Sequence, residues 1–403
     1  MRLFWILLSL LLCIFAQSQT PQEIYKGMQS KDKAARIEAI RLGLLRLDDP
    51  VLQQYALETA TSLPFQDQQR LVPLLMEIHD KTKEDVREHL LYMLAMVAPK
   101  SGKVLEILTN AIEKGSNNEK QYILLGLALA RKEALFALPS LIKIYPKSDN
   151  DIRALILDRL ATIGSTVPGT LEILKNALKD KSPILMSKAA FALGEIGEKD
   201  STVLALLKER LQEPNATVLA SCAEALGKLL QTDQESLSRT QEEIAQILWK
   251  LKDHEDIQVR ISSMLSLAQI SRKRKENAMQ ALSKDLSQED SLLCLQAARA
   301  VLLIDKKNKA AIRVFIKIAK SDSYSQALSF MGKLALDDEE IVQFLQSQAT
   351  KQEIPINQRL QALFALHSIS KDTGNKQTSF FQTLQKEESN PKIREFLEKA
   401  LKK

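Results

Sequence analysis

Apolar positions recur along this chain in two locked rhythms. Leu94, Leu127, Leu160, Leu193 and Leu226 are evenly spaced, and Leu75, Leu108, Leu141, Leu174 and Leu207 repeat the same step, each at a constant offset ahead of its partner. The stretch 182–197, SPILMSKAAFALGEIG, carries the pattern most clearly, and its core returns as Cys222-Ala223-Glu224-Ala225-Leu226-Gly227. A fixed period in the low thirties with two helical registers marks a stack of helix pairs. One pair cannot bury its own apolar face, so it is dried only by the pairs beside it.

The pattern predicts first helices near 70–80, 103–113, 135–145, 170–179 and 202–212, with second helices near 83–97, 119–130, 151–163, 182–196 and 216–229. Pro73 and Pro139 fall inside two of the first helices, where each is expected to bend the axis. Both leucine series then slip together: the steps from Leu207 to Leu248 and from Leu226 to Leu267 are equal to each other and exceed the period by the same amount. The polar run 231–240, QTDQESLSRT, accounts for both as one inserted loop. The chain therefore divides into irregular N-terminal repeats (19–68, with short helices at 22–30 and 32–47 and one or two more over 51–63), a regular array (69–230), the inserted loop, and C-terminal repeats with a charged cap (241–403). In the last part, helices are predicted at 310–319, 341–348, 360–369 and 393–401.

A third register is basic. Arginine precedes the core leucine or glycine by two helical turns at Arg36, Arg87, Arg153, Arg260, Arg359 and Arg394, and Asp85, Asp151 and Asp256 come shortly before three of these. Asp85-Val86-Arg87, Asp151-Ile152-Arg153 and Ile257-Gln258-Val259-Arg260, each opening an Ala/Leu-rich helix, resemble the second helix of HEAT repeats. With so short a period they are most similar to the bacterial HEAT-like repeats also found in phycobilisome lyases. The resemblance implies an all-α fold, a right-handed superhelical α-solenoid of about ten to eleven helix pairs. It also implies that Asp85, Arg87, Asp151, Arg153, Arg260 and Arg359 form a structural ladder of hydrogen bonds between adjacent repeats. Met186 and Leu219 replace the basic residue at two positions, so the ladder is expected to break there.

The N-terminus changes the picture of where the protein works. Residues 1–18 read as a signal peptide: Arg2 gives the positive start, 3–15 the apolar run, and Ala16-Gln17-Ser18 the small-x-small cleavage site. The apolar run is short of the ~20 residues that span a bilayer. Leu10-Leu11-Leu12 are too bulky before Cys13 for a lipoprotein site, and that cysteine is expected to leave with the leader. The mature chain would begin at Gln19 and be exported, as a periplasmic or secreted protein. It would keep Cys222 and Cys294, two repeats apart and beyond disulfide reach, as small buried apolar residues.

Composition excludes more than it suggests. With 45% hydrophobic residues and only 12 Gly and 12 Pro, the chain is neither disordered nor collagen-like. A net charge of +6 favours no particular polyanion, and aromatics at 5% count against a stacking platform for nucleic acid. Four histidines, His79, His89, His254 and His367, include no i, i+4 pair for zinc. His79-Asp80 stands without the further His and Asp positions of a metal-dependent phosphohydrolase, and no nucleophile elbow, phosphate loop or Cys-x-x-Cys occurs. No cofactor is expected. Asn215-Ala216-Thr217 reads as a glycosylation acceptor or a helix cap, and Trp249 as half-buried packing beside Leu248.

One basic run stands out, Arg272-Lys273-Arg274-Lys275, with Lys306, Lys307 and Lys309 in the corresponding loop one repeat later. These residues read as charged turns at helix C-termini or as a patch for an anionic partner. The expectation is a monomeric, exported, non-enzymatic scaffold that binds a protein or peptide along a concave surface of second helices. The resemblance alone also points to a tetrapyrrole lyase-like enzyme, and the basic edge to an envelope structural protein touching peptidoglycan or membrane.

Overall fold

Helix caps set the boundaries of the elements. Asp49, Asp200, Asn215, Asp256, Asp290 and Asn390 each accept a hydrogen bond from backbone N–H groups of the first turn they precede. Thr20 with Glu23, and Ser238 with Gln241, close reciprocal capping boxes. At the other end, Gly197 (φ 76°) and Gly374 (φ 74°) take the left-handed conformation that ends a helix without a Cβ penalty. The computed structural model describes residues 19–99, 101–130, 134–135, 137–163, 167–232, 236–320, 324–374 and 377–402. The expected signal peptide, its cleavage site and Cys13 lie outside them, as do residues 233–235 of the inserted loop.

Twenty-three α-helices and no strand occur among the described residues. The fold is an all-α solenoid, with two compact units, Met1–Glu198 and Lys199–Lys403. The first unit holds α1 (Pro21–Met28), α2 (Lys33–Leu45), α3 (Pro50–Thr61), α4 (Phe65–Ile78), α5 (Glu84–Val97), α6 (Gly102–Lys114), α7 (Asn117–Ala130), α8 (Leu138–Ile144), α9 (Asn150–Ile163), α10 (Thr170–Ala177) and α11 (Pro183–Ile196). The second holds α12 (Ser201–Arg210), α13 (Ala216–Leu230), α14 (Arg239–Lys250), α15 (Ile257–Ile270), α16 (Lys275–Ser283), α17 (Ser291–Ile304), α18 (Lys309–Ile318), α19 (Tyr324–Lys333), α20 (Glu339–Thr350), α21 (Ile356–Thr373), α22 (Thr378–Glu387) and α23 (Pro391–Leu401). Even-numbered helices are first helices and odd-numbered ones second helices. This gives five pairs after α1 in the first unit and six in the second, at the upper end of the sequence expectation.

Both leucine registers lie in the core. In the first unit Leu75, Leu141 and Leu174 are fully buried and Leu108 is 1% exposed, while Leu94, Leu127, Leu160 and Leu193 are at 0%. In the second unit Leu207, Leu226, Leu248, Leu267 and Leu282 are all at 0%, so the register survives the insertion. Burying a leucine of this kind contributes ~1.5–3 kcal/mol. Second helices approach closely where a glycine stands beside the core leucine. A Cβ on Gly126 would press on the Tyr92 carbonyl and lie 2.8 Å from the Ala95 Cβ, both on α5.

Three local expectations change. Pro139 does not bend a helix, because α8 starts at Leu138 and the proline occupies its first turn, where the missing N–H has no partner to lose. Pro73 does lie inside α4. Counting the alternation back from α5 makes α2 a first helix rather than a second, and its Arg36 has a buried Nε without a hydrogen-bond partner among the described residues. The insertion is shorter than the polar run implies, since the Ser238 capping box starts α14 at Arg239.

Candidate functional site

The arginine register builds a series of cross-links between repeats, with carboxylates the ladder motif did not name. Arg87 Nε donates to Glu119 Oε1 at 2.5 Å, 32 residues on. Arg153 Nη2 donates to Asp180 Oδ2 at 2.8 Å and its guanidinium lies 4.7 Å from the centre of the Tyr145 ring. Arg260 grips both oxygens of Asp285 (2.6 and 3.1 Å) and also donates to the carbonyls of His254 and Glu255. Arg359 pairs with Glu388 and donates to the Ala349 carbonyl at 2.9 Å. The partners stand at or just before the start of the next second helix, and two of them hold it in place: the Ser182 N–H donates to Asp180 and the Asn390 N–H to Glu388.

Asp85 and Asp151 take no part in these pairs. Each is exposed in the first turn of its helix, and the Asp85 carboxylate accepts from the Val86 N–H. Residues two apart on a helix point to opposite sides, so an Asp-x-Arg motif cannot pair with itself, whereas an acid at a helix N-terminus suits the dipole. Where Met186 and Leu219 replace the base, both are buried. The sequence reading named none of these partners, and only one carries a local signal: Ser116-Asn117-Asn118-Glu119 is a capping-box sequence, and the Ser116 and Glu119 backbone N–H groups donate to each other's side chains. The other carboxylates sit in turns with no such signature.

The ladder is structural, and the other exposed features are better placed to meet a partner. Ten large apolar side chains are exposed among the described residues, and nine of them lie on second helices; Phe65 on α4 is the exception. Val51, Ile184, Leu292 and Ile356 stand at helix starts. The remaining five flank the core register by two residues: Leu125 (47% exposed) and Leu129 (58%) around Leu127, Phe191 (42%) before Leu193, Leu303 (45%) after Val301, and Phe364 (59%) before Leu366. At 100° per residue these positions fall about 160–200° from the core residue, directly opposite the buried seam. They form the outward face of the second-helix layer in each unit.

In the second unit this face is recessed. Two cavities of about 510 and 270 Å³ adjoin across α13, α15 and α17, sharing Leu265, Gln269 and Leu303. Arg272 and Lys275 line the larger cavity, Lys228 and Arg299 the smaller. Of the basic run, Arg274 is committed to Glu242, whose carboxyl it holds below the usual range. Lys273, Lys306 and Lys307 are exposed and line neither cavity. The run is thus divided by position, with only Arg272 and Lys275 turned to the second-helix face.

No group of three or more His, Cys, Asp or Glu able to hold a metal occurs among the described residues. His79 Nε2 lies 2.9 Å from Asp80 beside a polar cavity of about 260 Å³ that also meets Arg87 and Lys114. His254 Nδ1 accepts from the Asp256 N–H, and His89 and His367 pack against aromatic rings. Cys222 and Cys294 are free and buried; burial pushes the Cys222 thiol up to about 12, and the Cys294 thiol donates to the Leu286 carbonyl. Asn215 caps α13, and Trp249 is half-buried beside Leu248.

Part of the chain matches a family of known proteins. The family described as HEAT repeats matches residues 138–227. No curated protein matches the sequence. Among solved structures, a chain of the Kap95:Nup1 complex is 12% identical, with a TM-score of 0.48 over 96% of this chain and 57% of that one. Yeast importin-beta (Kap95p) is 11% identical, with a TM-score of 0.46 over 96% and 63%. Human deoxyhypusine hydroxylase in complex with glycerol is 17% identical, with a TM-score of 0.29 over 68% and 97%. The chain thus spans less than two thirds of the two karyopherin chains it matches.

Proposed function

Starting from a chain that carries HEAT repeats over residues 138–227, we propose that it is an exported, non-catalytic scaffold that binds a protein or peptide partner on its second-helix face. The observation that carries this reading is the distribution of exposed apolar side chains, nine of ten on second helices. Isolated exposed leucines are ordinary on any surface. A recurrence opposite the core register, from Leu125 and Phe191 in one unit to Leu303 and Phe364 in the other, is not what scattered exposure produces. First helices, by contrast, bury their apolar stripe and leave charge outside, as Lys143–Glu113 (2.8 Å) and Lys208–Glu243 (2.7 Å) illustrate.

Export rests on the leader-like residues 1–18, and N-terminal sequencing of the mature protein should begin at Gln19. Binding is tested with a photo-crosslinking amino acid placed at Leu129 or Phe191 and, as a control, at Glu106 on the first helix α6, in cells of the native host. Discrete adducts from the two second-helix positions and none from Glu106 are expected. Equal labelling from all three would remove the second-helix face from consideration.

A further inference from the structure

The recess across α13, α15 and α17 has a chemistry of its own. Four cations line its two cavities (Lys228, Arg272, Lys275 and Arg299) against one carboxylate, Glu224, whose Oε1 already accepts from the Ser262 hydroxyl at 2.8 Å. The whole chain carries 56 basic residues against 50 acidic, so this excess is local. Arg272, Lys275 and Arg299 are exposed and make no ion pair among the described residues. Arg299 is instead held over the Phe330 ring, its guanidinium carbon 4.9 Å from the centroid, with its N–H groups left for another acceptor. Between these cations Leu303 is 45% exposed and Leu265 half-buried, beside the polar side chains of Gln258, Gln269 and Gln296.

We propose that this recess binds an acidic peptide segment bearing an apolar side chain. Its carboxylates meet Arg272, Lys275 and Arg299, and its apolar residue covers Leu265 and Leu303. Arginine suits carboxylates because its fork of donors matches their two oxygens, and the exposed Leu303 beside the cations offers an apolar side chain a contact that a purely polar polyanion cannot use. From Gln258 to Gln269, the length of α15 along the recess is about 16 Å at 1.5 Å per residue, enough for about five residues of extended chain. A lipid bilayer offers the same negative charge on a broad surface that does not enter a recess between helices. The inference rests on the second-helix face being the binding surface.

The experiment is a selection of displayed random peptides of about twelve residues on the full-length chain, with affinities of the enriched peptides then measured by fluorescence anisotropy. Enrichment of Asp and Glu together with Leu, Ile or Phe is expected. The triple variant Arg272→Glu, Lys275→Glu, Arg299→Glu should weaken these peptides on the order of tenfold or more. Its three sites are exposed, so its circular dichroism and melting point should match the parent. The milder Arg299→Gln should lose a smaller part of the affinity. Enriched peptides that are basic or neutral, or that bind the triple variant unchanged, overturn the proposal. If such peptides are instead lost in Phe191→Glu, the second-helix reading survives while the recess is excluded; if no peptide is enriched, both fall. Sedimentation with phosphatidylglycerol vesicles that the triple variant abolishes, with no acidic peptide bound, assigns the cations to lipid and also overturns the proposal.

Discussion

Replacing Glu388 by glutamine keeps the shape of the side chain and removes the charge that answers Arg359. This is the most enclosed of the arginine pairs, with side-chain exposures of 2% and 0%. The variant guanidinium would still donate to the Ala349 carbonyl and to Gln352, but its charge would stand uncompensated in the interior. Leaving a buried charge without its partner costs about 3–5 kcal/mol. The same change at Asp285, in a pair exposed 18% and 7%, should cost less. Asp180→Asn, in a pair exposed 21% on both sides, should fall toward about 1 kcal/mol. Urea unfolding followed by far-ultraviolet circular dichroism ranks the three variants. Because helix pairs in a stack can open separately, hydrogen exchange within Pro391–Leu401 reads the local loss at Glu388 directly. The double variant Arg359→Met with Glu388→Leu should recover most of the deficit, since neither partner then leaves a bare charge. Equal costs at the three sites, or a double variant no better than Glu388→Gln, would show that enclosure does not set the strength of the ladder.

Other consequences are as direct. Gly126→Ala gains about 1 kcal/mol of helix propensity but forces α5 and α7 apart at Tyr92 and Ala95, so a net loss of about 1–3 kcal/mol and a lower melting point are expected. Gly102→Ala, where a Cβ meets nothing within 4 Å, is the control and should not lower it. Cys222, with its thiol raised to about 12 by burial, should react with a thiol reagent at about pH 8 only after unfolding, and rapid labelling of the native protein would place it at the surface. For Asp180, burial acts upward on the carboxyl, but the Ser182 N–H and Arg153 outweigh it and hold the group below its ordinary 3.8. A depressed carboxyl stabilises the fold above its unfolded value and loses that contribution as pH falls through the folded one. The stability gap between the parent and Asp180→Asn should therefore be full at neutral pH and close in acid below 3.8; a gap independent of pH contradicts the pairing.

The period, the pairing of helices and the identity of the core were readable from the residues alone. Leucines repeated at one fixed interval must share one side of one element, and in a stack that side is always the dried one, so Leu94 to Leu226 and Leu75 to Leu207 went inside together. A cap at Asn215 was legible for the same reason, since a capping side chain acts over one turn of chain. The three-dimensional packing decided what depends on distant residues. It gave Arg153 to Asp180 and Arg359 to Glu388, 27 and 29 residues away, and left the neighbouring Asp151 in solvent. It also separated Arg272 and Lys275, which face a recess, from Arg274, which is spent on Glu242. A periodic pattern fixes which side of each helix is hidden, because burial is a property of position in the repeat. The partner of a polar side chain is set by the angle and offset between successive helices, which arise only when the pairs stack.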